Sequence, residues 1–252
     1  MRAERWTRAG LATALAATLA LVYPRPTGAQ QVHDAREMMK WGSETLILFD
    51  QLEYAPNAGE RPVIVDAMGW VGGAYSRVWV KLQGEQSTRG RGGEADGELL
   101  YGRLVAPYWD AVAGVRVYRR WDEGNDTRVF LAVGIQGTAP YRFELSPMVF
   151  LSQDGDLSAR LEAAYPLLIT QRLIAEPELE LNAALQDAPR YGVRSGLNDT
   201  EVGLRVRYEL RRELAPYAGI SRTWRPAGDA DGALAGGTET ETRIVAGLRV
   251  WR

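Results

Sequence analysis

Carboxylates and guanidiniums recur at every second residue in this chain, as in Glu176, Glu178 and Glu180 and in Arg205, Arg207 and Glu209. Arg77, Lys81, Arg103, Arg116, Arg142, Glu144, Arg160, Glu162, Arg172, Arg243 and Arg249 are further charges that would point to the same inward side. Such groups have three chemical uses. A carboxylate pair performs general acid and base chemistry, a row of carboxylates passes cations, and carboxylates matched to arginines neutralise one another where water is scarce. The abundance of arginine partners favours matched pairs, and no cleft signal singles out a catalytic carboxylate pair. Nucleophilic catalysis is poorly supplied: there is no cysteine, and the one histidine, His33, lies near the start. Soft metal ligands are few. His33, Met38 and Met39 fall within seven positions, Met68 and Met148 stand alone, and Met148 shares an alternating set with Glu144. A site on Met148 and Glu144 would be held by a strand, whereas one on His33, Met38 and Met39 must order a polar segment.

The elements that position these charges are strands. Val202, Leu204, Val206, Tyr208 and Leu210 alternate with Arg205, Arg207 and Glu209, and Val78, Val80 and Leu82 with Arg77, Trp79 and Lys81. A two-residue period gives one apolar and one ionic face. Turn signals divide the chain into twelve strands: 44–54, 62–71, 75–85, 97–108, 111–121, 127–136, 140–153, 157–168, 172–185, 199–212, 215–225 and 241–252. Five of the six connections after odd strands are longer than any after an even strand, and the sixth, Asp154 to Asp156, ties. Long loops on one rim and tight turns on the other describe an all-β, transmembrane, antiparallel up-and-down barrel, with the tight turns in the periplasm. Trp70, Tyr75, Tyr108, Trp109, Tyr141, Tyr217 and Trp251 fall near the tight turns or the C-terminus, where an interfacial girdle is expected. A water-soluble exported sandwich would also alternate, but it would bury its apolar face and expose its ionic one.

Upstream, Arg2, Arg5 and Arg8 precede the Ala- and Leu-rich run Ala9 to Val22, and Thr27-Gly28-Ala29 stands before Gln30. This is the pattern of a signal peptide over residues 1–29, followed by a short periplasmic segment, 30–43, and the barrel, 44–252. The 252 residues carry a net charge of −2, which supplies no basic field for nucleic acid.

Two stretches resemble one family. Gly134-Ile135-Gln136-Gly137-Thr138-Ala139-Pro140-Tyr141 and the run from Ser195-Gly196-Leu197-Asn198 to Tyr217-Ala218-Gly219-Ile220 are similar to the copper resistance protein B family, outer-membrane proteins of copper-resistance operons. Leu167-Leu168-Ile169-Thr170-Gln171-Arg172-Leu173 and Gly69-Trp70-Val71-Gly72-Gly73 extend the likeness from about Phe49 to Trp251. The resemblance implies a Gram-negative outer membrane, copper as the ion handled, a role in copper homeostasis without catalysis, and a periplasmic copper-binding protein as a partner. The chain departs from the family in its short Gln30 to Gly42 segment, where a long Met- and His-rich stretch is expected, in Pro166 and in the terminal Arg252. Two further readings stay open: a general narrow channel for small polar solutes, and a plugged structural or adhesive barrel.

Overall fold

The computed structural model describes residues 43–121, 126–188, 191–226 and 238–252. In chain order the strands are β1 (Glu44–Tyr54), β2 (Val63–Gly72), β3 (Ser76–Gln86), β4 (Gly93–Ala106), β5 (Trp109–Arg120), β6 (Thr127–Ala139) and β7 (Phe143–Ser152). There follow β8 (Leu157–Ala164), β9 (Leu167–Leu168), β10 (Leu173–Ala184), β11 (Gly196–Tyr208), β12 (Leu214–Pro226) and β13 (Thr238–Trp251). Each pairs antiparallel with its neighbours, and β13 returns to β1, so the sheet closes on itself. β9 continues the line of β8. The Tyr165 N–H still donates to the Pro177 carbonyl, Pro166 carries no N–H for the ladder and interrupts it, and Leu167 and Leu168 then resume it against Ala175 and Ile174. The closed wall therefore has the twelve staves expected.

The wall sorts side chains by parity, as a pleated strand must. Outward stand Leu99, Val115, Leu131, Val133, Val149, Val202, Leu204, Ile220, Ile244 and Leu248, all large, apolar and exposed. An exposed apolar belt around a closed barrel, on strands long enough to span hydrocarbon, is the surface of a membrane-type barrel. At the tight-turn rim Tyr75, Tyr108 and Tyr141 are exposed. Trp70 and Tyr217, expected in that girdle, instead face inward. Trp70 has the parity of the lumen-lining Asp66 and Met68 and packs on Trp79, ring centroids 5.9 Å apart, while Tyr217 is buried.

The interior is not wholly ionic. Leu100, Val112, Phe130, Ala132, Met148 and Phe150, from β4 to β7, form a buried apolar cluster, with Trp79 and Tyr118 against it. Gly134 makes room for it, because a Cβ there would lie 2.4 Å from the Met148 sulfur. At the long-loop rim the β1–β2 connection folds against β13. Ala55 and Ala58 bury Val245, and the Asn57 amide bonds the backbone of Thr242 and Ile244. The backbone N–H groups of Thr88 and Arg89 donate to the Glu60 carbonyl, fastening the next long loop to the first.

Several strand ends differ from the sequence expectation. β4 begins at Gly93, not Gly97, because Gly93 to Asp96 pair with Gln86 to Gln83; β11 begins at Gly196, not Asp199, against Ala184. A partner strand sets these ends, and a single strand's alternation does not show its partner. β7 begins at Phe143 because Pro140–Arg142 form a 3₁₀ turn, with Tyr141 and Arg142 at positive φ.

Candidate functional site

The lumen is organised by two arginine knots. In the first, Arg160 of β8 is nearly fully buried. Its guanidinium meets Asp96 at 2.9 Å and Glu98 at 3.4 Å on β4, Glu162 at 3.5 Å on β8, and Glu180 at 3.8 Å on β10. Arg116 of β5 closes on Asp96 at 2.6 Å. Both guanidiniums stack over the Phe150 ring, with Arg116 4.5 Å from its centroid, so the ionic knot rests on the apolar cluster. In the second knot Arg205 of β11 bonds Glu53 of β1, whose side chain is fully buried, at 2.5 Å, and also Glu178 of β10. Arg207 pairs with Glu176, and Arg249 of β13 joins Asp50 at 2.9 Å to Glu176 at 3.4 Å. Charges removed from bulk water persist only when paired and hydrogen-bonded, which these are.

Further pairs brace the ends. Arg77 meets Asp110 at 3.3 Å toward the tight turns; Arg243 meets Glu85 at 2.7 Å and Arg128 meets Asp156 at 3.1 Å toward the long loops. In the β10–β11 loop the Ser195 N–H donates to Asp187 at 2.6 Å, and this bond holds the exposed Asp187 carboxyl below the usual carboxylate range. Between the knots runs a cavity of about 2280 Å³, lined from Asp110, Thr138 and Glu144 at one rim to Glu60, Asp187 and Arg225 at the other. Among the described residues its lining holds eighteen carboxylates against ten basic side chains, so its field attracts cations.

The expected inward charges can now be placed. Arg77, Lys81, Arg116, Arg160, Glu162, Glu176, Glu178, Glu180, Arg205, Arg207, Arg243 and Arg249 face the lumen in ion pairs. Three do not. Arg103 shares the outward parity of Leu99 and Tyr101 and is exposed near the tight-turn rim, while Arg142 and Arg172 lie exposed in turns between strands. Glu209 sits just past the end of β11, beside a small pocket at the mouth with Arg212 and Trp251.

Met148 and Glu144 are not brought into one site. Four residues of strand separate them by about 13 Å. The Met148 side chain is buried in the apolar cluster, whereas Glu144 is exposed and faces Arg249, Asp50 and Arg207. His33, Met38 and Met39 lie outside the described residues, as do the signal-peptide region and all but the last residue of the 30–43 segment. Among the described residues no three His, Cys, Asp or Glu side chains are grouped to hold a metal ion.

Many lumenal acids were not expected from the sequence, and six of them show why. Asp96 and Glu98 have the right parity, but Asp96 lay beyond the expected strand end and Glu98 carried no charged neighbour two residues on. Asp50 lies within a β-bulge at Phe49 to Leu52 and Glu53 just beyond it, and the inserted residue breaks the alternation. Asp66 stands among Val63, Ile64, Val65, Ala67 and Met68, where no polar alternation marks it. Asp110 adjoins the tight turn, in the expected connection between the strands 97–108 and 111–121.

Known proteins carry this architecture further. Residues 43–252 match the family model described as copper resistance protein B precursor. The chain is 41% identical over 208 residues to a copper resistance protein B of Escherichia coli, covering 82% of this chain and 69% of that protein. It is 34% identical over 233 residues to a copper resistance protein B homolog of Pseudomonas syringae pv. tomato, covering 92% of this chain and 76% of that protein. Among solved structures, the NanC porin aligns with a TM-score of 0.47 at 13% identity, over 80% of this chain and 98% of the porin. The match spans the whole barrel, both knots included, and the chain belongs to the copper resistance protein B family.

Proposed function

We propose that this protein is an outer-membrane barrel of copper homeostasis that binds copper ions or passes them through its lumen as cargo, without catalysis. One observation carries the reading: a member of this family encloses a cavity reaching from rim to rim, lined by an excess of carboxylates. Carboxylate oxygens without histidine or thiolate suit brief contact with a hydrated divalent ion rather than tight capture of Cu(I). The arginines that neutralise most of these acids also remove them from acid and base duty, which supports a role without chemistry. The lipid-facing belt suits the outer membrane of a Gram-negative cell, the tight turns facing the periplasm. On this reading a periplasmic copper-binding protein would meet the tight-turn rim.

Growth on graded copper, with and without the gene, is the test. Loss of the gene shifts the copper concentration that halves growth, and the intact gene restores it. A second reading, a general channel for small polar solutes, draws on the short Gln30 to Gly42 segment with its three soft ligands. It predicts altered uptake of uncharged solutes and an unchanged copper threshold. That pair of results refutes the copper reading.

A further inference from the structure

The lumen is divided by ion pairs that join strands far apart around the wall. Arg160 of β8 reaches Asp96 and Glu98 of β4, four staves away, and this tie walls off the apolar cluster of β4 to β7. Arg205 of β11 reaches Glu53 of β1, three staves away, and walls off the inward faces of β12 and β13. A lane remains between the ties, bounded by β1 to β3, β8 and β10.

One basic group stands in this lane outside the two arginine knots and touches the first only through Glu162, which Arg160 also holds at 3.5 Å. The chain contains only two lysines, Lys40 and Lys81, so Lys81 is the sole lysine of the barrel. It sits at the middle of β3, and its ammonium spans the lane to donate to Ser146 of β7 at 3.4 Å, with Glu162 of β8 at 3.9 Å. Asp66, held by Gln83 at 2.9 Å, lies within electrostatic reach of Lys81, Glu162 and Asp50. The lysine contacts are long beside the 2.5 to 2.9 Å by which Arg116, Arg160, Arg205 and Arg249 each hold a carboxylate. A guanidinium fork locks two carboxylates in a fixed plane, whereas an ammonium on a four-carbon stem is a movable point charge.

We propose that Lys81 is a tethered cation in the conduction lane: its ammonium occupies the carboxylate-lined section between Asp66 and Glu162 that a passing cation must use, and so throttles cation flow. The proposal rests on reading the barrel as a conduit, and it concerns small hydrated cations in general. Mobile cations and the tethered ammonium compete for the same oxygens, which makes flow depend on how readily the lysine stem swings aside.

The test is conductance of the mature chain refolded into planar bilayers across a potassium chloride gradient, without copper. The wild type should conduct with cation preference. Removing a unit charge about 8 Å from a mobile cation elsewhere in the lane, in water, changes cation occupancy about two- to threefold, so Lys81→Gln should raise the conductance by that factor, while Lys81→Arg should not raise it. Acetylating the refolded barrel neutralises Lys81 after folding and should reproduce the Lys81→Gln increase, while the same treatment of Lys81→Arg should not. A non-conducting or anion-selective wild type overturns the proposal. So does a conductance unchanged by acetylation of the wild-type barrel. The two readings fail separately: a copper threshold that depends on the gene, with a silent barrel, sinks the tethered cation alone, and a cation conductance with no copper phenotype sinks the copper role alone.

Discussion

Replacing Arg160 by methionine keeps a long side chain at the centre of the first knot and removes its charge. Four carboxylates then lose a partner within 4 Å. Asp96 keeps Arg116 at 2.6 Å and Glu162 keeps Lys81 at 3.9 Å, but Glu98, 5% exposed, has among the described residues an ion pair with Arg160 alone. Removing one member of a buried pair costs about 3–5 kcal/mol, because the remaining charge stays out of water uncompensated. The contact with the Phe150 ring at 5.4 Å adds about 0.5–1 kcal/mol. Arg160→Met should therefore destabilise the barrel by about 3.5–6 kcal/mol, read from urea unfolding of the refolded protein in micelles by tryptophan fluorescence. Adding Glu98→Gln should recover part of the loss, since the two residues share one network and their effects are not additive. Arg103→Met serves as the comparison: an exposed arginine at the rim should change stability by no more than about 0.5 kcal/mol. An Arg160→Met barrel unfolding within about 1 kcal/mol of wild type would show that the knot does not hold the wall, and the reasoning above would fail.

Leu204→Arg, on the exposed apolar face of β11, should cost about 2–4 kcal/mol near the bilayer midplane and lower the amount of heat-modifiable, inserted barrel; normal insertion would mean that the register of β11 is wrong by one residue. Arg205→Leu, one residue along, should insert but unfold at lower urea, since it strands the buried Glu53; unchanged unfolding would count against the second knot. On intact cells, protease should cut the Gln186 to Asn198 loop if it cuts at all, and cleavage at Gly72 to Ala74 would reverse the topology. The pH dependence of that loop follows from Asp187. Its folded carboxyl titrates below the unfolded one, so the stability it contributes is present above the ordinary carboxylate range and is lost only as pH falls through the lowered value. Loop cleavage should accordingly rise only in that acidic window, and Asp187→Ala should abolish the rise.

Much of the wall was legible because alternation reports directly which side chains meet lipid. Val202, Leu204 and Val206 against Arg205 and Arg207 needed no partner to be read correctly. What stayed hidden was whatever depends on a second strand. The bulge at Asp50, beside Glu53, exists only in relation to β2 and β13, and the early start of β4 only in relation to β3. The apolar cluster was hidden for another reason. Phe130, Met148 and Phe150 occupy inward positions that an all-ionic lumen would give to charges, and their sequence neighbours are equally apolar. Taking Met148 as a lumenal ligand beside Glu144 failed on the same point, since shared parity places two residues on one face without placing them together.

A membrane barrel faces lipid outside and water within, so the packing that gives other folds their unique interior has to come from elsewhere. Here arginine supplies much of it. All but two of the 30 basic residues are arginine. Arg160 ties β8 to β4 and β10, and Arg205 ties β11 to β1 and β10, joints that a single ammonium does not make. The carboxylates these arginines hold are consumed in fixing the shape. Asp66 and Glu162 are left with the loosely held Lys81 as their nearby basic group, except for the 3.5 Å contact of Glu162 with Arg160. If the barrel conducts cations, as proposed above, Asp66 serves the lane and Glu162 serves both lane and knot, and the choice between arginine and lysine at each inward position decides how firmly its carboxylates are held.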